Sequence, residues 1–360
     1  MSDNPKEAEK EMEKAIFISA DCWLEVFDLL PPSQLGLGIA MISHRFDYFV
    51  DEHFKTRKWI LGQIIIQCKI GQNGAEEMEI VNSNGKALPI PQNPLPNKVI
   101  GFGSIETNYF DQNVITFFGH FHRFFASSTT KLFICAENIH ISEFVVHNIW
   151  PMFKPSIRQI AFNPIAFGQI RQFAPSMLFD CPSLHVVDFV DGGILPEFPP
   201  DDSANASDGQ AVAKWLFTPR PDNLKKMLGY FVNSATEEQW SAIVEQIKAA
   251  FSAASSPVSF AIISPSSLLS SFVPFVLTNE FTGEKLALLE DGEDDKKHFV
   301  LIRFPIAVGN LEKWIKDEMD EFDDGQMNKI GIMIKDDGFD KSLFDAASSA
   351  VPCGDQKQQK

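Results

Sequence analysis

KLFICAENIHISEFVVHNIWPMFKPSIRQIAFNPIAFGQIRQFAPSMLFDCPSLHVVDF, residues 131–189, decides the fold class. Short runs of β-branched and aromatic residues alternate here with longer amphipathic ones. Lys131–Cys135, Ile157–Phe162 and Leu184–Phe189 read as strands. His140–Phe153 and Phe167–Phe179, lying between them, read as helices. Aligning Phe133 and Cys135 with Ile160 and Phe162, and these with Val187 and Phe189, gives the same step twice (160 − 133 = 187 − 160 = 27).

A strand and a helix every 27 residues falls within the leucine-rich-repeat range. Phe179–Leu184 is the best match to a turn into a new repeat strand. The pattern continues with Asp208–Leu216 as a helix, Met227–Val232 as a strand, Thr236–Ala253 as a helix and Val258–Ile263 as a strand. Thr236 caps its helix, Glu237 and Glu238 suit the positive end of the helix dipole, and Trp240, Ile243, Ile247 and Phe251 form an apolar stripe. The spacing lengthens along this part, so a plain α/β curved sheet is the alternative to a regular repeat. Farther on, Phe275–Asn279, Lys285–Leu289 and Phe299–Phe304 read as strands, Leu311–Phe322 as a helix and Lys329–Lys335 as a last strand. The charge run Glu290–Asp295 reads as a solvated loop.

Toward the N-terminus, residues 60–70 read as a strand and Ile80–Ile90, with Asn84-Gly85 inside, as a hairpin. Pro89, Pro91, Pro94 and Pro96 mark a loop. Ile105, Tyr109 and Val114–Phe125 open a long alternating region, in which His120 and His122 share one strand face. From Ile16 to about Trp59 the pattern is helical. Ser19 and Asp21 cap a first helix carrying Trp23, Leu24, Val26, Phe27 and Leu30. Pro31-Pro32 stops it. Ser33 caps a second helix through Leu35, Leu37, Ile39 and Ile42, and a third runs from about Ser43 to Phe54 with Phe46, Phe49, Val50 and Phe54 on one face.

The 31 basic and 48 acidic residues leave a formal charge of −17. That disfavours a phosphate-backbone binder, which presents basic patches, and an anionic membrane surface. It favours basic or polar partners. No run is long enough to span a bilayer. The 33 Phe against 3 Tyr and 6 Trp indicate broad packed layers. Five scattered cysteines without a Cys-x-x-Cys form neither a zinc site nor a disulfide framework. Charged first residues and free thiols indicate a cytoplasmic or nuclear protein.

The helical start carries a resemblance. Ile18-Ser19-Ala20-Asp21, then Trp23-Leu24-Glu25-Val26-Phe27-Asp28-Leu29-Leu30, Ser33-Gln34-Leu35 and Ile42-Ser43-His44-Arg45-Phe46 resemble an F-box in order and spacing. Ser19 stands where Pro is usual, Ser43 where Cys is usual and Phe46 where Trp is usual; the apolar positions are kept. Together with Asn148–Met152, Phe179–Leu184 and Asp208–Thr218, the stretch Ile18–Ile60 is similar to the F-box-like families expanded in plant-parasitic nematodes.

The resemblance implies an α+β protein: an N-terminal three-helix F-box at 16–59, then an α/β leucine-rich-repeat-like curved sheet at 60–335 that binds substrate. Residues 1–15 are a frayed or disordered start and 336–360 a disordered tail. It implies a substrate-recognition subunit of an SCF-type cullin ubiquitin ligase, a protein binder in the degradation pathway rather than an enzyme. The F-box would bind a Skp-type adaptor, and through it a cullin, using Ile18, Trp23, Leu24, Val26, Phe27, Leu30, Leu35, Ile39, Ile42 and Phe46 for shared core and adaptor face. An unknown protein substrate would sit on the later domain. The alternative is a protein–protein interaction scaffold acting outside a ligase. No Walker loop, dinucleotide fingerprint or Gly-x-Ser-x-Gly elbow is present, so neither cofactor nor catalytic residue is expected. No Cys or carboxylate completes a metal set with His120 and His122, and no metal is expected.

Overall fold

The computed structural model describes residues 18–55, 59–70, 76–88, 90, 99–127, 130–136, 138–220, 222, 225–231, 235–265, 273–291, 298–305 and 328–334. The expected N-terminal and C-terminal tails, the proline cluster at 91–98, most of the acidic loop and the helix at 311–322 lie outside the described residues. The fold is α+β, with helices set against a large mixed sheet.

Among the described residues three short α-helices come first: α1 (Ala20–Asp28), α2 (Pro32–Leu37) and α3 (His44–Phe54), with a 3-10 turn at Ile39–Met41. The Ser19 hydroxyl accepts from the Cys22 N–H, and the Ser43 hydroxyl from the Phe46 N–H. The second helix departs from expectation. Pro32 occupies its first turn and Ser33 is buried without capping it. It also stops at Leu37, with Gly38 as its C-cap in a backbone where a β-carbon would lie 2.6 Å from the Gln34 carbonyl oxygen.

The strands are β1 (Trp59–Ile60), β2 (Gln63–Ile70), β3 (Glu76–Asn82), β4 (Ala87–Leu88), β5 (Val99–Gly101), β6 (Ser104–Thr107), β7 (Thr130–Ala136), β8 (Ile157–Phe162), β9 (Val186–Phe189), β10 (Lys226–Tyr230), β11 (Phe260–Pro265), β12 (Phe275–Thr278), β13 (Glu284–Asp291), β14 (His298–Pro305) and β15 (Asn328–Ile334). Residues 60–70 do not form one strand. Gly62, at φ 75°, turns the chain between β1 and β2, and its carbonyl accepts from the Gly103 N–H. The β3–β4 hairpin turns at Asn84-Gly85, Gly85 having φ 73°.

One 13-stranded sheet runs β12-β13-β14-β11-β10-β9-β8-β7-β15-β6-β2-β3-β4. From β11 through to β2 every neighbouring pair is parallel, and both flanks are antiparallel. The crossovers supply α4 (Gln112–Ser127), α5 (Ile139–Phe144), a π-helical segment (Val145–Ile149), α6 (Trp150–Phe153), α7 (Pro164–Phe173), α8 (Asp208–Phe217) and α9 (Glu237–Ala253). Ser207 with Gln210 and Thr236 with Gln239 form capping boxes on α8 and α9.

Val114–Phe125 is helix α4, not an alternating strand region. Val114, Phe117, Phe118 and Phe121 are buried together at i, i+3, i+4, i+7, which is a helical period, and Asp111 accepts from the Val114 N–H at 2.9 Å. Positions 120 and 122 therefore do not share a face.

The strand register also differs from the 27-residue alignment. Leu132 pairs with Ile160, and Ile160 with Val187. Leu132 and Ile134 face the helices, whereas Phe133 and Cys135 point to the opposite face, half-buried. A one-residue offset reverses every side chain of a strand; a register shift at Thr130/Lys131 accompanies it. Two hydrogen bonds still span the step of 27, Ser142 to Gln169 and Arg158 to His185. The sheet is not a plain stack of sequence neighbours, because β15 inserts between β7 and β6.

Side chains of the parallel strands alternate between two faces. Leu132, Ile160, Val187, Leu228 and Ile262 join one core with Phe167, Val212, Leu216, Ile243, Ile247 and Phe251 of the helices. Phe27, Leu35, Val50 and Phe54 of the opening helices belong to the same core. Val186, Met227, Ala261, Ala287, Val300 and Ile302 form a second cluster composed of strand residues. On the helix side of the same strands, under the Phe251 ring, Arg303 donates to Glu284 in a fully buried ion pair that the Ser256 carbonyl and the Val258 N–H complete.

Candidate functional site

Helix α1 has two stripes at i, i+4, i+7 spacing. Trp23, Phe27 and Leu30 turn inward; Cys22, Val26 and Leu29 turn to solvent. Phe27 is 1% exposed and meets the His53 ring of α3 edge-on. Trp23 lies edge-to-face on Phe46 at 4.9 Å, and Phe46 on Phe49 at 6.5 Å. The Arg45 guanidinium sits over the Phe49 ring and donates to the Ile18 carbonyl at 3.1 Å, tying the start of α3 to the start of α1. The unit docks at the end of β1, where Leu61, just past the strand, meets Gly36; a β-carbon on that glycine would lie 3.1 Å from Leu61 Cδ2.

The ten sequence-selected residues divide into three groups. Phe27 and Leu35 lie fully in the core. Trp23, Leu24, Leu30, Ile39 and Phe46 are half-buried against it. Ile18, Val26 and Ile42 are exposed. Two further exposed side chains, Leu29 and Tyr48, escaped selection. The helical stripe pointed to them: Leu29 follows Val26 by three, and Tyr48 lies off the Phe46/Phe49/Val50 face. Leu29 is 84% and Ile42 63% exposed. Covering such a side chain is worth about 1.5–3 kcal/mol.

Elsewhere burial shifts several titratable groups, Lys226 among them, which it pulls down to about 7. Burial, with the Arg158 guanidinium beside it, pulls the His185 imidazole down to about 4, and the neutral ring accepts from Arg158 Nε at 2.9 Å. Burial pushes the Asp188 carboxyl up; the Gln159 amide donates to it at 2.5 Å. Burial likewise raises the Cys181 thiol above its ordinary range, the opposite of an activated nucleophile. Among the described residues no three His, Cys, Asp or Glu side chains converge as metal ligands, and no helix is long and apolar enough to cross a membrane.

Comparisons with known protein families, with characterised proteins and with solved structures give no match.

Proposed function

We propose that this chain is the substrate-recognition subunit of an SCF-type cullin ubiquitin ligase. In this reading the opening helices are the F-box and bind a Skp-type adaptor. The sheet that follows is a leucine-rich-repeat-like curved platform for a protein substrate. The observation that carries the reading is the apolar surplus on a very small helical unit. Ile18, Val26, Leu29, Ile42 and Tyr48 remain in solvent after Phe27, Leu35, Leu37, Val50 and Phe54 have filled the core. Five exposed apolar groups on one small unit favour a protein partner. The unit's tie to the sheet core gives a ligase what it needs, a firm link between adaptor and substrate, because the subunit acts through proximity rather than bond chemistry.

Co-purification tests it. The wild-type chain, mixed with purified Skp adaptor and cullin, is expected to elute as one complex from size-exclusion chromatography. The Leu29→Asp/Ile42→Asp variant, which leaves the core side chains untouched, is expected to elute alone. Adaptor binding without recruitment of the cullin would favour a scaffold outside a ligase. No wild-type complex at all would refute the reading.

A further inference from the structure

The face of the sheet opposite the described crossover helices carries a groove of ≈ 320 Å³ across β6, β15 and β7. Ser104, Glu106, Lys131, Phe133, Lys329 and Met333 line it, and Gly331 forms its floor. These positions alternate with Ile105, Leu132, Ile330 and Ile332, which face the helix-side core. Lys131 and Lys329 are direct register partners on neighbouring parallel strands. Like charges placed directly opposite are unfavourable in a sheet. In a chain of charge −17, two lysines brought together from distant segments stand out. Lys329 forms no ion pair or hydrogen bond among the described residues. Glu106 is the one carboxylate in the lining, and its oxygen accepts from the Gln63 amide at 2.9 Å. Two cations face one carboxylate in the lining; the Asp188 carboxyl, which Lys131 also reaches, is pushed toward its protonated form by burial, so the groove is positive.

We propose that this groove binds a ligand carboxylate, held between Lys131 and Lys329 above Gly331. Each ammonium donates a charge-assisted hydrogen bond to one carboxylate oxygen. Phe133 and Met333 offer apolar wall to the methylenes that carry it. Strand-interior glycine suits close approach of a ligand. The volume is at the lower end for small-molecule sites and fits one acidic side chain or a short dicarboxylate. The site shares no residue with the opening helices and does not depend on adaptor binding.

Lysine acylation followed by mass spectrometry tests this on the full chain. The probes are glutarate, an end-capped Glu-Glu peptide and its Gln-Gln counterpart. Both Lys131 and Lys329 are expected to be protected by a carboxylate probe, with Lys248, on α9 over the Phe275 ring of the edge strand β12, unaffected. Protection by glutarate as well as peptide assigns a small-molecule site; protection by the peptide alone assigns an acidic protein segment. Lys329→Gln is expected to weaken the protecting probe about tenfold, read as the concentration that protects Lys131. Gly331→Val fills the floor while keeping both lysines and is expected to abolish protection. Its β-carbon would meet Glu106 Cγ at 3.5 Å, an ordinary contact, so the strand accommodates it. Equal protection by the Gln-Gln peptide, no protection by either carboxylate probe, or protection of Lys131 that survives both substitutions would overturn the proposal.

Discussion

The opening helices and the parallel sheet solve the same burial problem with different resources. The sheet has helices along one face, and its strands place Leu132, Ile160, Val187 and Leu228 beneath them. The opening unit has three helices of 9, 6 and 11 residues. It can bury Phe27, Leu35, Val50 and Phe54 only by borrowing β1 and the sheet core, and it leaves Leu29 and Ile42 outside. The large layer hides most of its apolar residues, leaving a few such as Ile70, Val276 and Phe281 in solvent, and keeps polar ones for a groove. The small unit leaves a larger share of its own outside, and that surplus becomes a surface.

If the contrast is sound, substitutions inside the two regions must behave differently from substitutions on their surfaces. The largest effect is expected for Phe27→Ala, which empties a site shared by α1, α3 and the sheet core. A loss of about 3–5 kcal/mol in denaturant unfolding is expected. A loss below about 1 kcal/mol would mean that the opening helices are not integral to the core.

Next is the pH dependence set by His185. Its pKa is about 4 in the fold and 6.5 otherwise, so between these values the unfolded chain binds the extra proton. Stability from this group is present above pH 6.5 and is lost as pH falls through 4. The span is worth about 3 kcal/mol. Measured against His185→Gln, wild type should lose more stability on acidification over that window; parallel pH profiles would contradict a buried neutral ring.

Gly229→Ala should cost about 1–3 kcal/mol. A β-carbon there would overlap the carboxylate of Asp188, its register partner on β9. An unchanged midpoint would show that Asp188 has room to move.

The smallest stability effect, within about 0.5 kcal/mol, is expected for Leu29→Asp, whose side chain touches little of the fold. A loss comparable to that of Phe27→Ala would place Leu29 in the core rather than on a free surface.

What the sequence made legible follows from the range of the forces involved. The Ser19 and Thr236 caps, the proline stop at Pro31-Pro32 and the stripe of α9 are local and were readable. The order of β7, β8 and β9 followed from alternation of strand and helix patterns. The register did not, because Lys131–Cys135 offers apolar residues at both parities and only pairing chooses between Leu132 and Phe133. Helix α4 was misread since its Phe-rich run satisfies a period of two as well as one of 3.6. Insertion of β15 beside β7 is non-local, so nothing in the flanking residues announced the Lys131–Lys329 pair. At the opening unit the apolar positions were evident, but which of them the sheet would claim was not. Phe27 and Leu35 went inward, and Leu29 stayed out.

Calorimetric titration of purified Skp adaptor into the full chain tests the central claim most directly. Wild type is expected to bind with saturable heat. Leu29→Asp/Ile42→Asp, with an unchanged unfolding midpoint, is expected to show none. Undiminished binding by that folded variant, or no heat with wild type, would contradict the assignment of the opening helices as the adaptor surface.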